Sequence, residues 1–111
     1  MATPTPFGNI QRAFVNASSS GDNALVAAPG AGIKIRVLSL VAMAGSASNT
    51  VTLRSATTAI SAGFPCAANG GMVLNENPNG WFQTEANEAL NVNLSGGTLV
   101  AVHITYILVR N

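Results

Sequence analysis

The sequence predicts an all-β protein, folded as a single antiparallel β-sandwich. Residues 33–44 and 98–109 are long runs without Gly or Pro, rich in the β-branched and other apolar residues typical of strands. Turn signals rich in Gly, Pro, Asn and Ser recur between shorter apolar stretches, and no window has the 3.6-residue period of an amphipathic helix. The roughly eight or nine short strands would fill two four-stranded sheets. We therefore predict a jelly-roll-like topology, with an immunoglobulin-like sandwich as the alternative.

The first third of the chain divides into an arm and three strands. Residues 1–8 contain Pro4 and Pro6 and no charged side chain, which predicts an extended N-terminal arm before a single domain over residues 9–111. Strands are predicted over residues 10–17 and 24–28, separated by a Ser-rich and Asn-rich turn. The run over residues 33–44 begins with strict alternation and then becomes apolar on both faces. It should therefore lie centrally in its sheet.

Shorter strands follow in the middle of the chain. Residues 50–55 and 90–94 alternate between apolar and polar side chains, which predicts half-buried strands. Further strands are predicted over residues 57–64, 72–74 and 81–84. Pro65 should end the first of these because proline has no N–H to donate to a ladder.

The last run, residues 98–109, is predicted to be a long strand with two different faces. Successive side chains of a strand point to opposite faces. One face is apolar apart from the Tyr106 hydroxyl group, while the other mixes apolar side chains with a histidine and a threonine. We expect this mixed face to contact another subunit, and its residues are Leu99, Ala101, His103, Thr105, Ile107 and Val109.

The composition favours a protein that is covered by partners. Charged residues make up 8% of the 111 residues, whereas apolar residues make up 48%; soluble domains usually contain about 25% charged residues. No apolar run approaches the roughly 20 residues of a transmembrane helix. The net charge of +1 includes no basic cluster, which argues against nucleic acid as a partner. Since the N-terminus lacks the features of a signal peptide, we expect synthesis in the cytoplasm.

The residues that could carry chemistry are few. His103 is the only histidine, and catalysis would require a nucleophile and an orienting acid beside it. Cys66 is the single cysteine, so a disulfide within the chain is excluded and a zinc site is not expected. Glu85 and Glu88 lie in a polar turn, where solvated carboxylates are the rule. The sequence therefore predicts no enzyme, no catalytic residue, no metal ligand and no cofactor.

One loop offers a possible ligand site. Asn75, Asn77 and Asn79 precede Trp81, and an exposed tryptophan beside amide side chains could stack on a sugar ring. A single aromatic side chain makes a poor platform, so packing of Trp81 in the core is the favoured interpretation.

Short motifs of turn and core residues are spread over most of the chain: residues 20–22 (Ser-Gly-Asp), 34–37 (Lys-Ile-Arg-Val), Pro65, 67–71 (Ala-Ala-Asn-Gly-Gly), 77–78 (Asn-Pro), 80–82 (Gly-Trp-Phe) and 88–95 (Glu-Ala-Leu-Asn-Val-Asn-Leu-Ser). In these motifs the chain resembles small structural proteins of tailed bacteriophages. The resemblance implies a jelly-roll-like sandwich that decorates or cements the capsid or another part of the virion, often as a homotrimer. Other virion proteins, such as the major capsid protein, would then be its partners. The alternative is a carbohydrate- or receptor-binding module of a phage tail.

Overall fold

The computed structural model describes residues 5–110 of the chain, with side chains from Gly8 onward. These residues form ten strands and no helix, so none of them belongs to a helix able to cross a membrane. The strands in chain order are β1 (Thr5–Ala17), β2 (Gly21–Val26), β3 (Ile33–Ala44), β4 (Asn49–Ser55), β5 (Thr58–Ala59), β6 (Phe64–Cys66), β7 (Gly71–Leu74), β8 (Phe82–Gln83), β9 (Leu90–Leu94) and β10 (Val100–Arg110).

The strands form two antiparallel sheets packed as a sandwich, as predicted. Sheet A has the order β1-β10-β3-β7, with β8 also paired to β3. Sheet B has the order β2-β9-β4-β5, with β6 also paired to β4. The first strand thus pairs with the last, and the second with the last but one. This nested order is that of a jelly roll.

The strand count is ten because one predicted strand is divided into two. Residues 57–64 form β5 and the start of β6, while the chain between them turns at Ile60 and Ser61. The Ile60 amide donates to the Leu53 carbonyl, and the Leu53 amide donates to the Ser61 hydroxyl. Pro65 lies within β6 rather than beyond a strand end. It is accommodated there because β6 pairs with β4 alone among the described strands, so its missing N–H is not needed.

The predicted N-terminal arm overlaps the first strand. β1 begins at Thr5, and residues 5–7 lie opposite Arg110, Val109 and Leu108 of β10. The register then shifts between Phe7 and Gln11, where Gly8 has a positive φ of 78°. Residues 1–4, the rest of the predicted arm, lie outside the described residues.

The core lies between the two sheets and follows from alternation along the strands. In sheet B, every second residue of β4 and β9 is buried. In sheet A, the buried positions of β10 alternate from Val100 to Tyr106. The largest fully buried side chains are Ile35, Val37, Leu40, Val51, Leu53, Leu90, Val92, Leu94, Val100, Val102, Ile104 and Val109.

A buried amide holds the connection between the sheets beside the start of β10. Asn49, the first residue of β4, donates through Nδ2 to the Gly96 and Thr98 carbonyls and to Thr98 Oγ1, each at 3.0 Å. Its Oδ1 accepts from Ser95 Oγ at 3.0 Å and from the Gly96 amide at 3.2 Å. Because both ends of the amide are satisfied, Asn49 fixes the loop that leads into β10.

We expect Asn49→Ala to lower the free energy of unfolding by about 1–3 kcal/mol, because the loop groups lose buried partners. Urea unfolding measures this difference. Asn79→Ala is the control, since Asn79 is exposed and a surface change usually stays within about 0.5 kcal/mol. Equal changes in the free energy of unfolding for the two substitutions would contradict the proposed role of Asn49 in holding the loop.

Candidate functional site

The outer face of sheet A carries a continuous row of exposed side chains across four strands. Phe14 on β1 lies opposite His103 on β10, His103 opposite Val41 on β3, and Val41 opposite Val73 on β7. Phe14 is 71% exposed, Val73 62% and Val41 39%. Neighbouring strands are about 4.8 Å apart, so this outer apolar row spans roughly 15 Å.

A second row lies beside the first, towards the end of the sheet where β10 begins. It consists of Asn16, Ala101, Met43 and Gly71. A Cβ atom at Gly71 would lie 2.6 Å from Met43 Sδ and 1.9 Å from the Ala42 carbonyl oxygen, so only glycine leaves room there. A shallow depression of about 190 Å³ opens along the two rows, lined by side chains of β1, β3 and β10.

The only ring contact within the outer apolar row joins Phe14 and His103. Their ring centroids are 5.9 Å apart and the rings are inclined by 18°, a stacked arrangement. The imidazole of His103 is exposed, and the row itself holds no other titratable side chain. The row therefore presents apolar and aromatic surface interrupted by a single polar ring.

The opposite half of the same face is polar. Arg12 lies opposite Thr105, whose Oγ1 is 2.6 Å from Ser39 Oγ. Further along, Arg36 Nε donates to Gln83 Oε1 at 3.0 Å. The large exposed apolar side chains on the strands of sheet A thus lie at one end, with the exception of Ile10 on β1, which is 52% exposed.

The six predicted contact residues of the last strand divide into three groups. Leu99, Ala101 and His103 are exposed, and they belong to the apolar end of the face. Thr105 and Ile107 are half-buried in the polar half. Val109 is 0% exposed and lies between Pro6 and Lys34 in the ladder, so it has no surface left for another subunit. The predicted role of Val109 as a contact is therefore wrong.

The structure exposes four large apolar side chains on the same face that the sequence interpretation did not select: Phe14, Val41, Met43 and Val73. The available signal was the apolar character of both faces of residues 38–43. That pattern predicts a strand at a central position in the sheet, with both of its faces covered. β3 is indeed central in sheet A, yet its outward side chains are left uncovered.

The predicted ligand loop places its tryptophan at the surface. Trp81 is 44% exposed, so the favoured prediction that it packs in the core is wrong; its neighbour Phe82 instead lies 6.3 Å from Phe64, ring centroid to ring centroid. The indole Nε1 donates to the Asn75 carbonyl at 2.7 Å, which fixes the ring against the loop.

The three asparagines of this loop have different roles. Asn77 is half-buried, and its Oδ1 accepts from the Asn79 amide at 3.0 Å. The backbone N–H of Asn77 donates to the Leu38 carbonyl, which ties the loop to β3. Asn75 and Asn79 are exposed on either side. The loop thus presents one fixed indole ring and two exposed amide side chains.

The remaining candidates for chemistry do not form a site. Cys66 is 3% exposed, and burial raises the pKa of its thiol. Glu88 Oε1 accepts from Ser55 Oγ at 2.7 Å, and the same hydroxyl accepts from the Glu85 amide. Within residues 5–110, no group of three or more His, Cys, Asp or Glu side chains is placed to share a metal ion.

Comparisons with protein-family models, with curated proteins and with solved structures find no match to this chain.

The buried thiol makes stability depend on pH in the alkaline range. Because its pKa is raised in the folded state, Cys66 contributes stability below the ordinary pKa of a thiol, and this contribution is lost as pH rises. We expect the free energy of unfolding of the native chain to fall between about pH 8 and pH 10, near the usual thiol pKa of about 8.5. The free energy of unfolding of the Cys66→Ala variant should fall less over this range. Parallel pH profiles for the two proteins, from urea unfolding at each pH, would contradict this.

Proposed function

We propose that this chain is a non-enzymatic structural protein of a bacteriophage virion. It self-associates through the apolar end of the outer face of sheet A and decorates or cements the capsid or another part of the virion. Its site of synthesis is the host cytoplasm, and its partners are further copies of itself and other virion proteins such as the major capsid protein.

The observation that carries the proposal is the outer apolar row. Burying a large apolar side chain contributes roughly 1.5–3 kcal/mol. The row exposes three such side chains, Val41 and Val73 next to each other and Phe14 on the far side of His103. Association costs on the order of 4–15 kcal/mol in lost freedom. A single patch of this size is therefore marginal, whereas a closed ring or a lattice with several contacts per subunit makes it sufficient.

Two features of the sequence also support the proposal. Charged side chains are sparse, which suits a protein whose outer faces are covered. The resemblance to structural proteins of tailed bacteriophages extends over most of the chain and favours a homotrimer. The jelly-roll order of the strands agrees with what that resemblance implies about the fold.

Val41→Lys tests the role of the face, since it places a charge at the centre of the row. We expect the native chain to be oligomeric by light scattering and to sediment with undecorated capsids. Val41→Lys should weaken both associations roughly tenfold or more, because an ammonium group is costly to bury unpaired. Thr58→Lys, on an exposed strand of sheet B, should change neither.

The proposal would be overturned if the native chain remained a monodisperse monomer at micromolar concentration and did not sediment with undecorated capsids.

The second candidate function is a carbohydrate- or receptor-binding module of a phage tail. The observation that favours it is the exposed Trp81, held by its bond to the Asn75 carbonyl and flanked by exposed amides. A rigid ring of this kind can stack on the apolar face of a sugar without losing side-chain freedom.

Fluorescence separates the two functions, because Trp81 is the only tryptophan. If the loop binds glycans, adding host surface polysaccharide should shift the Trp81 emission, and Asn79→Ala should weaken the titration severalfold. Asn9→Ala, an exposed asparagine on β1, is the matched control. Unchanged emission at saturating polysaccharide would exclude this second function and leave the capsid experiment to decide the first.

A further inference from the structure

β1 is an edge strand, and its free edge is unusually open. In sheet A it pairs with β10 alone among the described strands. Its ladder with β10 is regular from Gln11 to Ala17, after the irregular segment that contains Gly8. Alternate residues of this seven-residue segment therefore present backbone N–H and C=O groups on the side away from β10, where no described strand pairs with them.

Proteins that remain monomeric usually protect such an edge with charges, prolines or short strands. Residues 11–17 contain no proline and a single charged side chain, Arg12. At the middle of the segment is Phe14, the most exposed of the large apolar side chains. The open edge thus lacks the usual protection where it is most apolar.

We propose that the free edge of β1 pairs with β1 of a second copy of this chain, antiparallel and about a two-fold axis beside Phe14. Antiparallel pairing of two identical segments over residues 11–17 brings the central residue of one copy opposite the same residue of the other. Phe14 then faces Phe14, and the two sheets become one continuous sheet of twice the width.

The side chains of the segment are self-complementary in this register, as an isologous contact requires. Arg12 lies opposite Asn16 of the second copy, and Ala13 opposite Val15. The pairing also leaves each side chain on the same face of the sheet as in the single subunit. The exposed side chains of Arg12, Phe14 and Asn16 remain on the outer face, while Ala13 and Val15, which pack against the core, remain on the inner face.

The length of the regular segment and the charge on Arg12 distinguish this register from its neighbours. If the axis moved by one residue in either direction, only five of the seven regular residues of each copy could pair. If the axis moved two residues towards the N-terminus, two arginines would face each other, which is destabilising in a sheet. It would also bring the irregular segment before Gln11 into the ladder. If the axis moved two residues the other way, only residues 15–17 of each copy could pair. The register centred on Phe14 uses the whole regular segment and opposes no like charges.

The contact is independent of the proposed function. It uses an edge, not a face, and it requires no virion partner. It leaves the outer apolar row exposed and joins two copies of that row into one, eight strands wide.

Cysteine crosslinking reads the register directly. Three variants each carry one new cysteine: Arg12→Cys, Phe14→Cys or Asn16→Cys. All three also carry Cys66→Ala, which removes the native thiol, and Val73→Lys. The lysine lies at the far edge of sheet A and weakens association through its outer face. With diamide as oxidant, we expect Phe14→Cys to form a disulfide dimer, because facing Cα atoms are about 4.5–5.5 Å apart. Arg12→Cys and Asn16→Cys alone should not, since each is offset from its own copy by about 13 Å. A mixture of the two should form dimers.

Dimers from Arg12→Cys or Asn16→Cys alone, or no dimers from any of the variants, would overturn the proposal. Dimers in all three at equal rates would also overturn it.

A charge test without crosslinking checks the same register. Asn16→Glu places a carboxylate opposite Arg12 of the second copy twice, once on each side of the axis. In sedimentation equilibrium it should tighten dimerisation roughly 2- to 25-fold, whereas Asn16→Arg should weaken it by a similar factor. The double variant Arg12→Glu, Asn16→Arg should restore the tighter association. Equal dimerisation constants for Asn16→Glu and Asn16→Arg would count against the pairing.

Discussion

A two-layer sandwich buries one face of each sheet, and this limit governs the rest of the molecule. In sheet A the inward side chains of β3 and β10 complete the core. Their outward side chains at one end, Val41, Met43 and Ala101, are also apolar but have no layer above them. Sheet B differs, because the outward positions of β4 and β9 are Thr, Arg and Asn. This asymmetry between the two outer faces is the reason for proposing the outer face of sheet A, rather than that of sheet B, as the contact surface.

The class of fold was accessible from the sequence because two-residue alternation and turn residues are local signals. The strand order was not local, since β1 pairs with β10 and β2 with β9 across nearly the whole chain. The indications of a jelly roll were the count of strands, the length of the chain and the resemblance to structural proteins of tailed bacteriophages. Boundaries differed where tertiary pairing overrode propensity. Pro65 is predicted to end a strand but lies within β6, and β2 extends back to Gly21 in a segment whose sequence predicts a turn.

Only part of the candidate surface could be predicted from the sequence. Alternation correctly placed Leu99, Ala101 and His103 outside, because their strand is regular there. The same rule failed at Val109, which is 0% exposed within its own subunit. Phe14 was missed because its partner across the sheet is 89 positions away in sequence, 103 minus 14. A row that crosses four strands becomes visible only when the register of all four is known.

The two edges of sheet A differ in length, and this difference limits how copies can add to one another. β1 is 13 residues long at one edge, whereas β7, at the other, has four. Head-to-tail addition would have to join these unlike edges, and so could form only a short ladder. Growth of an endless filament by strand addition is therefore disfavoured, although one edge is open. The short β7 therefore disfavours polymerisation of this sparsely charged chain through sheet A.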